Sequence, residues 1–290
     1  MRKRSRVSYL VAILSLSFAF AGLCNGIAFA GGENNKGAYW AKGNAFAFAG
    51  GENNKNAHWT QKHIRKVPPI MMYEPYFSEM FAQTDRDVPY NYEEAVKLAG
   101  HSCGATSSAW EMTRKALEIL YPDETPVRGN IKVYAPGAED EWNIGVIGEV
   151  ITYLTGAAPH TGFSGAEFGN GFCYQENDVP TCYPGDEVFK RRNKMVYTEE
   201  PVGTWPPNGM IWKFVRIDTD EQVCVRFNYV GPAGIQPPAS PDWVILGARI
   251  ASGDETLTAE EIESYITWWN VRTEYVFEHP ELVVVLPACP

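Results

Sequence analysis

The chain has 290 residues, of which 45% are apolar and 13% aromatic, and its 35 acidic against 25 basic side chains give a formal net charge of −10. That much apolar matter can bury a core in one large domain or two small ones, which excludes disorder as the default. Basic residues cluster only at the N-terminus and at Lys190-Arg191-Arg192, so the chain lacks the electrostatic footprint of a nucleic-acid binder.

The basic run Arg2-Lys3-Arg4-Ser5-Arg6 precedes an uncharged apolar stretch over residues 7–23, and Ala28-Phe29-Ala30 follows before Gly31-Gly32. This layout predicts a signal peptide over residues 1–30, cleaved after Ala30, and a periplasmic or secreted protein. The alternative is an uncleaved anchor, because residues 7–23 nearly reach across a hydrocarbon layer of about 30 Å. No later segment is apolar enough to span a membrane. Residues 28–40 recur almost unchanged at 47–59, and the second copy carries its own Ala47-Phe48-Ala49 site. Two copies are too few for a solenoid, so residues 31–67 read as a Gly/Asn-rich extension made by local duplication, ahead of a main domain over 68–290.

Of the six cysteines, Cys24 lies in the leader, which leaves five in an oxidising compartment. Cys173 and Cys182 bracket a short Gly/Asn/Pro-containing loop that one bridge staples. Cys224 sits in a strand-like run and Cys289 near the C-terminus, where a bridge pins the tail. Cys103 is left over.

In the main domain, Asn91 caps a short helix that ends at Gly100, with acidic residues in its first turn. Residues 105–120 place Ala109, Met112, Ala116, Leu117 and Leu120 on one helical face. Residues 130–134 alternate as a strand, and 144–154 form a buried helix stopped by Thr155-Gly156. Strands follow at 194–197, 210–217 and 222–229, the last two joined as a hairpin. Thr258 and Glu261 form a capping box for a helix reaching about Val276, whose Tyr265, Trp268, Trp269 and Val276 read as core. Residues 231–241 are a Pro/Gly-rich loop and 281–286 a last strand. Helices and antiparallel strands without a βαβ rhythm predict an α+β fold: a mixed, largely antiparallel sheet packed with helices in a single main domain.

The segment that carries chemistry is Gly100-His101-Ser102-Cys103-Gly104. In an extended loop, side chains two residues apart share a side, so His101 and Cys103 can reach one metal ion. Zinc is the default ion for mixed sulfur and nitrogen ligands. Cys103 also stands at the start of a helix, where the backbone dipole favours the thiolate, which is both a ligand and a nucleophile. His160, in the loop after Thr155-Gly156, is a further candidate ligand. His58, His63 and His279 have no such company, and Glu139-Asp140-Glu141 reads as solvated surface.

Together with the helix after it, the strand at 131–134, the segment Glu149-Val150-Ile151-Thr152-Tyr153-Leu154-Thr155-Gly156 and the hairpin from Trp212 to Arg226, this motif resembles the FmdE-like family, whose name comes from formylmethanofuran dehydrogenase. The resemblance spans roughly residues 90–280. It implies an α+β domain, often a homodimer, that holds a metal, usually zinc, through the H-x-C residues. Carried onto this chain, it makes His101 and Cys103 ligands and Glu149 a candidate ligand or supporting carboxylate. The chain departs from the family in two places. Residues 145–148 lack the cysteine that many members have near the acidic position, and there is no C-terminal C-x-x-C ribbon.

The first expectation is therefore an exported metal-binding protein with zinc or another transition ion at His101, Cys103, Glu149 and His160, and an unidentified small-molecule ligand. The alternatives are a thiol-dependent enzyme with Cys103 as nucleophile and His101 as base, or a non-catalytic interaction module using its aromatic surface and repeats.

Overall fold

Short strands that alternate apolar with polar residues zip into one five-stranded sheet in the computed structural model, which describes residue 59 and residues 61–141, 143–165, 171–176, 179–199, 210–228 and 243–290. All of these fall in one compact unit, Asn56–Pro290. The leader, the repeat and the 231–241 loop lie outside the described residues, apart from Trp59.

The first sheet is small: β1 (Ile70–Met72) pairs antiparallel with β2 (Val88–Tyr90). The main sheet comprises β3 (Ile131–Tyr134), β6 (Met195–Val196), β7 (Ile211–Arg216), β8 (Gln222–Phe227) and β9 (Val283–Val285), in the order β6-β3-β7-β8-β9. Among its described strands only the β3–β6 pair is parallel, so the expected α+β fold with a largely antiparallel mixed sheet is present. Period-two patterning sets the register. Val133 faces Phe214, which faces Val223, and Trp212 faces Val225, so one face collects the buried side chains.

Helix α1 (Tyr92–Ala99) starts where the Asn91 amide donates to Glu94 Oε2 at 3.1 Å, and it stops at Gly100, whose φ of +76° is one that glycine adopts without penalty. Helix α2 (Gly104–Leu120) buries the apolar stripe read from its sequence and packs against β8, α3 (Ile144–Thr155) and α5 (Ala259–Glu278). Helix α3 is apolar nearly all round and ends at Gly156 in the left-handed region. At the head of α5, the Thr258 amide donates to Glu261 Oε2 at 2.7 Å and the Glu261 amide donates back to Thr258 Oγ1 at 3.1 Å. This is the expected capping box.

One element departs from the sequence reading and another was not read from the sequence. The stapled loop is a hairpin, β4 (Phe172–Glu176) against β5 (Val179–Tyr183), with Cys173 directly opposite Cys182. The apolar run after the Pro/Gly-rich stretch forms a further helix, α4 (Trp243–Ser252), packed on α5. The disulfides are Cys173–Cys182 and Cys224–Cys289, and Cys103 is free and buried. Closing a separation of 65 residues, the second bridge contributes about 4 kcal/mol by restricting the unfolded chain. Two such bridges fit an oxidising environment. Among the described residues no helix is long and apolar enough to cross a membrane.

Away from the sheet, the Glu74 carboxylate is buried and fully engaged. It accepts from Arg191 Nη2 at 2.8 Å, Arg128 Nη1 at 2.7 Å, the Tyr76 amide at 3.2 Å and Tyr90 Oη at 3.4 Å. Arg191 is 1% exposed, and burial pulls its pKa down to about 10 against the opposing field of Glu74. This cluster ties the β1 segment to the loops around Arg128 and Arg191.

Candidate functional site

The loop between α1 and α2 is held from three sides. Ser102 is buried, and its hydroxyl lies 2.8 Å from Tyr92 Oη, which also lies 3.0 Å from Thr106 Oγ1. From α5, the Trp269 indole donates to the Ser102 carbonyl at 2.8 Å. The Cys103 amide donates to Thr106 Oγ1 at 2.8 Å, and Thr106 closes a capping box with Cys103 at the head of α2. The backbone that presents His101 and Cys103 is therefore fixed before any ligand arrives.

His101 Nδ1 lies 3.1 Å from the Ala99 carbonyl oxygen. A carbonyl only accepts, so Nδ1 carries the proton and Nε2 is the basic nitrogen of the neutral ring. The ring and the buried Cys103 thiol line one cleft and shift each other's ionisation. Burial pushes that thiol up. The His101 hydrogen bond and charge, with the amide and hydroxyl of Thr106, pull it down by more, so its pKa lies below that of an ordinary cysteine. The hydrogen bond to Cys103 raises the His101 pKa, against burial, which lowers it. Both shifts favour a thiolate beside an imidazolium.

The pair opens into a cleft of about 220 Å³. His101, Cys103, Gly104 and Ala105 form one side, Asn143 at the N-cap of α3 and Val146 within it form another, and Trp268, Trp269, Arg272 and Thr273 come from α5. Trp268 is buried as the sequence reading required, yet it also walls the cleft, as does Trp269. Trp269 further holds the His101 ring at a centroid distance of 6.2 Å.

Of the four candidate ligands read from the sequence, His101 and Cys103 meet. Glu149 is exposed, and His160 is exposed with its ring 3.1 Å from Asn193 Oδ1; neither lines the cleft. Among the described residues no group of three or more His, Cys, Asp or Glu side chains is placed to hold a metal ion. The donor set assembled here is thus two protein ligands, short of the four of a structural zinc site.

Sequence reasoning missed Asn143 and Arg272, which belong to no motif and join the site only through packing of α3 and α5 on α2. One signal was available for the second: Trp268, Trp269, Arg272 and Thr273 fall at helical spacing on one face of α5. No family model, curated protein or solved structure matches this chain.

Proposed function

We propose that the chain is a thiol-dependent enzyme, in which Cys103 is the nucleophile and His101 carries its proton. The observation that carries this reading is the arrangement of the cleft: His101 Nδ1 is anchored on the Ala99 carbonyl, which leaves Nε2 as the basic nitrogen, and the same cleft is lined by the buried Cys103 at the head of a helix. The chemistry such a pair performs is acyl transfer to water. The Cys103 thiolate attacks a carbonyl carbon, the S–C bond forms as the bond to the leaving group breaks, and the leaving group takes its proton from the imidazolium. Water, giving a proton to His101, then attacks the thioester, which releases the acid and restores the thiol. Gly104 and Ala105, whose first-turn amides have no intrahelical acceptors, line the same cleft and are the candidate donors to the oxyanion.

The test is the rate at which iodoacetamide alkylates Cys103 in the intact chain near pH 7, where about 8.5 is the pKa of an ordinary thiol. Alkylation faster than that of free cysteine supports the reading, and alkylation no faster refutes it. The two disulfides and the N-terminal layout support export through the leader over residues 1–30. A second reading, favoured by the facing sulfur and imidazole, is the FmdE-like one: His101 and Cys103 hold zinc or another transition ion. Elemental analysis separates the two. About one metal equivalent, lost in both His101→Ala and Cys103→Ala, supports the second reading; metal-free protein with a fast thiol supports the first.

A further inference from the structure

The cleft also specifies the kind of molecule that fits it. Arg272 reaches in from α5. Its Nε lies 3.5 Å from where a β-carbon on Gly104 would stand, and its Cζ lies 5.1 Å from the centre of the Trp268 ring. The guanidinium is thus placed between an aromatic wall and the first turn of α2, in the cleft that Cys103 also lines. Residue 104 is glycine and so puts no side chain of its own against the guanidinium. Ala105, Val146 and Trp269 add apolar wall, with Asn143 and Thr273 as uncharged polar lining. Among the described residues lining the cleft none is acidic, in a chain that carries 35 acidic side chains. The positive end of the α2 dipole adds to the same field.

We infer that the substrate of this site is a small carboxylate with an apolar body, its anionic head received by Arg272 and its body laid against Trp268 and Trp269. A planar guanidinium matches a carboxylate in charge and in paired hydrogen-bond geometry. Size agrees: a cavity of about 150 Å³ takes benzene, so the 220 Å³ here has room for a ring or short acyl chain and a carboxylate. The inference rests on reading Cys103 as a reactive thiol, and its test keeps the two apart.

Iodoacetate and iodoacetamide share one electrophilic carbon and one leaving group, and they differ in charge. In each, the Cys103 S–C bond forms as iodide leaves. The ratio of the iodoacetate rate to the iodoacetamide rate should exceed that of free cysteine by about tenfold or more, the scale on which a charged cleft concentrates its ligand. Arg272→Gln should lower the ratio to that of free cysteine, and because the ratio is taken within one protein it cancels any change in the thiol's own reactivity. A ratio equal to free cysteine's, with fast iodoacetamide, overturns the carboxylate inference alone. Slow reaction with both reagents overturns the thiol reading, and the inference with it. Should Arg272→Gln not fold, the wild-type chain decides: benzoate should protect Cys103 from iodoacetamide and benzyl alcohol should not. Equal protection by the two, or none, overturns the inference.

Discussion

Replacing His101 by alanine should slow alkylation of Cys103 near neutral pH by about tenfold to a hundredfold, with the fold intact. Two effects add. The hydrogen bond and charge of His101 are what hold the thiol below its ordinary pKa. Without them, burial dominates and pushes the thiol upward, so the thiolate fraction falls by about a factor of ten for each unit of pKa. Among the described residues the ring bonds through Nδ1 to Ala99 and packs near Trp269, so its loss leaves the anchors of Ser102 and Thr106 in place. Circular dichroism checks the fold, and mass spectrometry of the alkylated peptide checks the rate. A variant that reacts as fast as the wild type would remove His101 from the mechanism.

Glu74→Gln should destabilise the chain by about 3–5 kcal/mol, a fall in Tm on the order of 10 °C. The Glu74 carboxylate balances two guanidinium groups, one of them fully buried. An amide of the same shape turns one acceptor into a donor that faces an arginine, and it leaves Arg191 charged in an apolar surrounding. Breaking a buried pair costs more than the pair itself contributes, because the orphaned charge has no solvent to turn to. Thermal or urea unfolding measures the loss. A change below about 1 kcal/mol, the range of an exposed pair, would mean that water reaches Arg191 from outside. The alkylation rate of Cys103 in the folded variant should be unchanged, since the cluster does not line the cleft.

Much of this architecture was legible where the signal is local. Asn91 with Glu94 and Thr258 with Glu261 announce helix starts because a cap uses residues three apart. The apolar stripe of residues 105–120 and the alternation in 211–216 and 222–227 announce what each element buries. Cysteine spacing pointed to both bridges and left Cys103 as the free thiol. The rest depends on packing. Val244-Ile245-Leu246 has a strand-like composition, yet it becomes helical within α4, which packs on α5. The β4–β5 hairpin carries few buried side chains, so its sequence has no clean alternation to read. In the site, the His101–Cys103 pairing follows from one extended loop. Arg272 and Asn143 meet it across long stretches of chain, and no short-range pattern foretells which helix face closes over the thiol.

Whether Cys103 is a reactive thiol is tested most directly by the pH profile of its alkylation by iodoacetamide in the wild-type chain. A thiol with a depressed pKa keeps its thiolate as pH falls below the ordinary value, and loses it only on passing through the lower, folded-state value. The expected profile has its half-maximal rate below the free-cysteine value of about 8.5, and its midpoint moves upward in His101→Ala. A wild-type midpoint at or above the free-cysteine value would contradict this, since burial would then outweigh His101 and leave Cys103 an inert thiol.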